Sequence, residues 1–191
     1  MLALDPRTTA LILIDVQKGV LSMPLAPHGA AQVVQNAARL GLRFEEVGAP
    51  VVLVHVGFSA GNVDRLSQPV DAPGQPLARP ADWSEFAPEI GALRADVVVK
   101  KRQWGAFHGT ELDLQLRRRG VGAVVLAGIA TNFGVESTAR EAWQHNYAVV
   151  VAEDAVSSLD DEMHRFSIEK ILPRIARVRT TAEIVGALAP P

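Results

Sequence analysis

Short apolar runs alternate along the chain with longer stretches in which apolar residues recur every three or four positions. The runs TALILID (Thr9 to Asp15), PVVLVHV (Pro50 to Val56), DVVVKK (Asp96 to Lys101), AVVLAG (Ala123 to Gly128), YAVVVAED (Tyr147 to Asp154) and IARVRT (Ile175 to Thr180) predict strands. Their near-continuous apolar character predicts burial on both faces, as in a parallel sheet covered by helices. Between them, Val33, Val34, Ala37, Leu40, Phe44 and Val47 keep helical spacing from about Gly29, with Gly48 as the stop. The segment TELDLQLRRRG opens on a capping-box pattern, Thr110 to Asp113, and stops at Gly120. Further helices are predicted over Gly134 to His145, Asp160 to about Ile171, and Thr181 to Leu188. Strands alternating with helices in this way predict a three-layer α/β sandwich with right-handed crossovers.

One segment breaks the rhythm. From Gly57 to Ala95 the chain carries Pro69, Pro73, Pro76, Pro80 and Pro88 with little periodicity. A connection of that length inside a compact domain predicts a lid or an arm toward a neighbouring subunit. Trp83 and Phe86 favour a packed role, because exposed aromatics in a loose loop are unfavourable. Neither a repeat nor a second domain is visible, so residues 1–191 are read as one domain.

Composition narrows the function. The 191 residues carry a formal net charge of -2, which gives no electrostatic case for nucleic acid or an anionic membrane. The one basic cluster, Arg117 to Arg119, ends a predicted helix and complements its dipole. The apolar run near the N-terminus is too short to span a membrane, and a cytoplasmic protein is expected. There is no cysteine, which excludes disulfides, thiolate metal sites and a cysteine nucleophile. Neither G-x-x-x-x-G-K-[ST] nor G-x-G-x-x-G follows a strand, so no nucleotide cofactor is expected.

Candidate chemistry lies where strands end, since ligands of open α/β sheets sit at the strands' carboxyl ends. Asp15 closes the first strand in LILIDVQKG, Lys100 and Lys101 close the third, and the turn GIATNFG closes the fourth. An acid directly after four apolar residues is partly desolvated, which favours its neutral form, while a nearby lysine favours the charged one. Such an aspartate can act as a general acid or base near neutral pH. A helix cap is the competing structural role for Asp15, and a solvated strand end the competing role for a lysine.

These stretches are similar to one family. LILIDVQKG, KRQWGAFHGTELDLQLRRRG, VVLAGIATNFGVESTAREAW and YAVVVAEDA resemble, in this order and over Thr9 to about Leu188, the isochorismatase-like hydrolases, also called the cysteine hydrolase superfamily. The resemblance implies a six-stranded parallel sheet and assembly as a homodimer or homotetramer. It places the family's acid/base aspartate on Asp15 and its lysine on Lys101, six residues before Phe107. The catalytic cysteine of the amidase branch falls on Gly134, and the cis peptide preceding that turn falls on Ile129–Ala130. Members that cleave the vinyl ether of isochorismate also carry glycine there and need no thiol. The implied chemistry is protonation of the enol-ether carbon by aspartate, addition of water, and release of pyruvate. The amides of the helix starting at Gly134 would bind a carboxylate or oxyanion.

Departures temper the substrate. Gln103, Trp104 and Gly105 stand where the family often has arginine, tyrosine and serine. Isochorismate is dianionic, and Arg65 or Arg79 in the long segment would have to replace the missing arginine. No Asp-x-His follows the second strand, so the metal site of the nicotinamidase branch is not expected, His55 reads as a strand-end hydrogen-bonding residue, and neither a metal site nor a cofactor is expected in the chain. Gln17, Trp104, Phe107, Ala130 and Asn132 are the candidate substrate-binding residues. Capping competes for Gln17, core packing for Trp104 and Phe107, and unusual backbone angles for Asn132. Asp154 is expected to terminate its strand and support the neighbouring loop. The expected function is hydrolysis of a small anionic metabolite, with enol-ether cleavage first. Attack on an amide, imide or ester by Asp-activated water is the alternative, and a non-catalytic binding role is the alternative of another class.

Overall fold

The computed structural model describes residues 2–73 and 79–188. Pro76 of the long segment therefore lies outside the described residues, as do both ends of the predicted 1–191 domain. Six strands form one parallel sheet: β1 (Thr9–Ile14), β2 (Val51–Val56), β3 (Val97–Lys101), β4 (Ala123–Ile129), β5 (Ala148–Ser157) and β6 (Arg177–Arg179). Their order is β3-β2-β1-β4-β5-β6, with each neighbouring pair parallel. The chain builds outward from β1 to β3, then returns to the other side of β1 with β4. That reversal places the topological switch point between β1 and β4, where open sheets leave a crevice.

The helices are α1 (Lys18–Leu21), α2 (Ala30–Glu46), α3 (Pro88–Gly91), α4 (Leu112–Arg118), α5 (Glu136–Gln144), α6 (Asp161–Phe166) and α7 (Thr181–Ala187). Alternation along β1 divides the core. Ala10, Ile12 and Ile14 face Leu112 and Leu116 of α4 and Ala139 and Ala142 of α5. Leu11 and Leu13 face Ala37, Leu40 and Phe44 of α2 and Ile184 of α7. A fully buried side chain of this size contributes roughly 1.5–3 kcal/mol, so β1, buried along its whole length, anchors both layers.

Three local expectations are corrected. The two edge strands are not buried on both faces: β3 is buried only at alternate positions, with Val98 53% exposed, and none of the three residues of β6 is fully buried, because each strand ends the sheet. Thr110 makes no capping box. Its hydroxyl donates to the Ala106 carbonyl at 2.6 Å, and the α4 N-cap, Glu111, makes no side-chain cap. The capping box that does form is Thr180 with Glu183, at the start of α7. Asp154 does not end its strand: β5 runs on to Ser157, and the Asp154 carboxylate accepts from the amide and hydroxyl of Thr181.

β5 is irregular at this point. Leu126 pairs with Val151 and Gly128 with Val156, so β5 uses five residues to pass two of β4. The extra residues include Glu153. Gly128 has φ 121°, and a Cβ there would stand 1.9 Å from the Ile14 carbonyl oxygen. Only glycine lets β4 approach β1 this closely at the crevice.

Candidate active site

β1 delivers Asp15 to the switch point. The strand ends at Ile14 and the chain turns at Asp15 with φ 52°, a left-handed conformation that aspartate tolerates better than most residues. Its amide still bonds to the Val54 carbonyl at 2.9 Å, so the turn stays fixed to the sheet. Lys101 comes from the last position of β3, two strands away. Neighbouring strands lie about 4.8 Å apart, and only a long side chain bridges two such spacings. The Lys101 ammonium donates to Asp15 Oδ2 at 2.6 Å and to the Gln103 carbonyl at 3.1 Å. Both residues are buried, at 6% and 2% exposure.

The two oxygens of Asp15 differ. Oδ2 carries the ion pair, whereas buried Oδ1 accepts no hydrogen bond among the described residues. Burial pushes the Asp15 carboxyl up to about 6, with the Lys101 charge and hydrogen bond pulling it back down. A carboxyl with one oxygen held and the other free, poised near neutrality, is suited to moving a proton.

The third piece arrives from β4. The Ile129–Ala130 peptide is cis, and Thr131–Val135 form one wide helical turn that runs directly into α5. Helical structure therefore begins at Thr131, one turn before the predicted Gly134. The amides that a helix start leaves without intrahelical acceptors belong to Thr131 and its neighbours. Gly134 sits inside that turn, facing Asp15. A Cβ there would lie 3.1 Å from the Ile129 carbonyl oxygen and 3.3 Å from Asp15 Oδ2. The structure thus brings Asp15, Lys101 and Gly134 together.

The remaining candidates divide. Ala130 is buried, and its carbonyl accepts from the amides of Phe133 and Val135, which shapes the turn. Asn132 lies on the same turn and takes a 2.5 Å hydrogen bond from the Ser158 hydroxyl. Trp104 is 62% exposed and tilts against Phe133 at 4.8 Å, so it is not a core residue. Phe107 is buried and packs on His145 and Tyr147, which places its ring in the core. Gln17 is fully buried. Its carboxamide donates to the carbonyls of Val56 and Trp83 and accepts from the Val56 amide. Those bonds tie the end of β2 to the long segment and occupy the side chain that would otherwise meet a substrate.

The long segment packs beside this crevice. Gly19 donates its amide to the Trp83 carbonyl, and any Cβ at Gly19 would overlap the indole. The Lys18 ammonium bonds to Asp82 and Glu85. Arg79 stacks on Phe58 and Trp83, at 4.7 and 5.0 Å. His55 lies against Phe86, with burial lowering its pKa, and its Nδ1 has no partner among the described residues. Gly105 leaves room for Glu141, whose carboxylate accepts from the Phe107 amide at 2.9 Å, while Gln103 bonds to the carbonyls of Gly105 and His108. These contacts hold the loop after Lys101, with the Glu141 carboxylate and the Gln103 carboxamide as its side-chain ties. A surface groove of about 710 Å³ against α2 and Val185 lies apart from this site and shares none of its residues.

Sequence reasoning missed a second cluster beside the turn. His28, Glu153 and His164 bring their ligating atoms within 4.8 Å of one another. No metal site is expected from the sequence anywhere in the chain, yet this group has the residue types and atomic separations to hold a cation, with Thr131 as its link to the turn. Nothing in the spacing of the three residues announces it, because they come from three separate segments.

An isochorismatase domain matches residues 9–183. The isochorismatase family protein YecD of Escherichia coli O157:H7 is 50% identical over 188 residues, covering 98% of this chain and all of that protein. The solved structure of an isochorismatase family protein from Burkholderia thailandensis superimposes with a TM-score of 0.93 at 44% identity, covering 98% of each chain. The ureidoacrylate amidohydrolase RutB of Methylobacterium radiotolerans is 30% identical, covering the whole of this chain and 83% of that protein. Among the described residues, no helix is long and apolar enough to cross a membrane.

Proposed function

The chain belongs to the isochorismatase family of hydrolases, and from that premise we propose that it hydrolyses a small anionic metabolite without a covalent thiol step, Asp15 carrying the proton. The observation that supports this most is the buried Asp15–Lys101 pair set against Gly134, with Asp15 Oδ1 free. The substrate we infer is an enol ether of the isochorismate type. Protonated Asp15 gives its proton to the enol-ether carbon, and the Lys101 ammonium stabilises the carboxylate left behind. Water adds to the resulting oxocarbenium carbon and returns a proton to Asp15. The hemiketal then collapses to pyruvate and an alcohol, which balances as simple hydrolysis. Amides at the start of the Thr131 turn offer a seat for the substrate carboxylate.

The likeness to a ureidoacrylate amidohydrolase favours a second reading, in which ionised Asp15 activates water against a small amide. Incubating the purified protein with isochorismate, and separately with ureidoacrylate and related amides, separates the two. Pyruvate release from isochorismate supports the first reading. Ammonia release from the amides without pyruvate replaces it with the second. Turnover unchanged by Asp15→Asn would remove both.

A further inference from the structure

We propose that His28, Glu153 and His164 form a binding site for a divalent transition cation of the zinc type, beside the turn that carries Asn132 and Gly134. The three residues belong to different parts of the fold: the connection between α1 and α2, the irregular stretch of β5, and α6. His28 Nε2 stands 3.0 Å from Glu153 Oε1, and His164 Nε2 stands 3.6 Å from the same oxygen. Ligands about 2.0–2.2 Å from a tetrahedral ion lie about 3.3 Å from one another, so both separations fit around one ion. The two imidazoles meet edge to face with ring centres 5.4 Å apart, which leaves both Nε2 atoms directed toward the carboxylate.

Each imidazole is also held from behind. His164 Nδ1 is 2.8 Å from the Thr131 hydroxyl, and His28 Nδ1 is 3.0 Å from the Gln32 side-chain amide. A metal-ligating histidine characteristically has its second nitrogen bonded in this way, which fixes its tautomer and orientation. Gln32 presents its Nε2 to His28 Nδ1, so the carboxamide must turn over for that Nδ1 to donate; with Gln32 Oε1 facing the ring and Thr131 Oγ1 accepting from His164, both Nε2 lone pairs remain for a cation. Two imidazoles and one carboxylate suit zinc, cobalt or nickel rather than magnesium or calcium, which prefer all-oxygen sets. Three protein ligands leave at least one position for water or a ligand oxygen. His164 is 3% exposed, whereas the His28 side chain is 18% exposed on a connecting segment, so His28 supplies the adjustment and the access. A bound ion joins the α1–α2 connection, β5 and α6, and through Thr131 braces the turn opposite Asp15.

The test uses tag-free full-length protein stripped with a chelator, then titrated with ZnCl₂ by calorimetry and with CoCl₂ by visible absorption. We expect one equivalent of saturable binding, a cobalt spectrum with histidine–carboxylate character, and a raised unfolding midpoint with zinc. His28→Ala and Glu153→Gln are each expected to weaken zinc binding at least tenfold, with circular dichroism unchanged. Using both variants protects the result against one of them failing to fold. Folded wild-type protein that takes up no stoichiometric ion, or binding equally strong in both variants, overturns the proposal.

Discussion

Lys101 and Asp15, 86 residues apart in the chain, meet at 2.6 Å inside the protein. The contact spans three strands, because Lys101 ends β3 and Asp15 follows β1 with β2 between them. An ion pair in such a place is costly to desolvate and is weak evidence for stability on its own. Its visible consequence is electrostatic: the Lys101 charge and hydrogen bond pull the Asp15 carboxyl down against the burial that raises it.

Asp15→Asn is expected to lower kcat/KM by at least about 10²–10⁴-fold, the usual contribution of a positioned acid or base. It also strands the buried ammonium, but it removes the charge whose burial raises the Asp15 pKa, so urea unfolding at neutral pH is expected to show a net loss well below the roughly 3–5 kcal/mol of a buried pair broken without that offset. The double variant Asp15→Asn/Lys101→Met, which keeps a residue suited to the left-handed turn, should regain much of that stability and none of the activity. Activity returning along with stability would show that the pair serves folding alone.

The pH profile distinguishes the two chemistries. Burial holds Asp15 at about 6. Enol-ether cleavage uses the protonated form, so kcat/KM should be flat below pH 6 and fall about tenfold per unit above it. Water activation uses the carboxylate, and the profile would then rise through pH 6 to a plateau. Stability has its own sign. The folded carboxyl binds its proton more tightly than the unfolded one, whose reference value is 3.8. Its contribution is therefore fully present below about pH 4 and is lost as pH rises to about 6, on the order of 3 kcal/mol. Comparing wild type with Asp15→Asn across that window by chemical denaturation isolates the effect.

Gly134→Ala introduces a methyl group between the Ile129 carbonyl, Ile14 and Asp15. The carbonyl is backbone at the end of β4, held by the sheet, so it has little freedom to yield. Overpacking of this kind costs about 1–3 kcal/mol. A larger relative loss in kcat than in stability is expected, since the added carbon is 3.3 Å from the oxygen paired with Lys101. Full kcat with reduced stability would mean that the space at residue 134 serves packing only.

Much of this was legible because the relevant signals are local. Six apolar runs announced six strands, and a charged residue after LILI announced a buried acid. What escaped depends on contacts between segments. Thr110 and Thr180 both head plausible helices, but only Thr180 completes a reciprocal box with the residue three positions on; the Thr110 hydroxyl donates to Ala106 and accepts from the Leu112 amide instead. Continuous apolar character in β3 could not reveal that the strand lies at an edge. The His28–Glu153–His164 group is invisible in sequence because the irregularity in β5 that presents Glu153 comes from its pairing with β4.

Gln17 provides the sharpest separation between a binding and a structural role. Its amide satisfies both backbone groups of Val56 and the carbonyl of Trp83, within a fully buried setting. Gln17→Ala therefore leaves at least two buried polar groups without partners, each costing about 1–3 kcal/mol. Faster amide exchange is expected at Val56 and across Trp83 to Ala87, since the long segment loses its tie to β2. A substrate-binding role would instead raise KM with exchange and stability unchanged. Because every hydrogen-bonding end of this side chain is engaged by backbone, we expect the exchange and stability effects to dominate, with any change in KM following from the released segment.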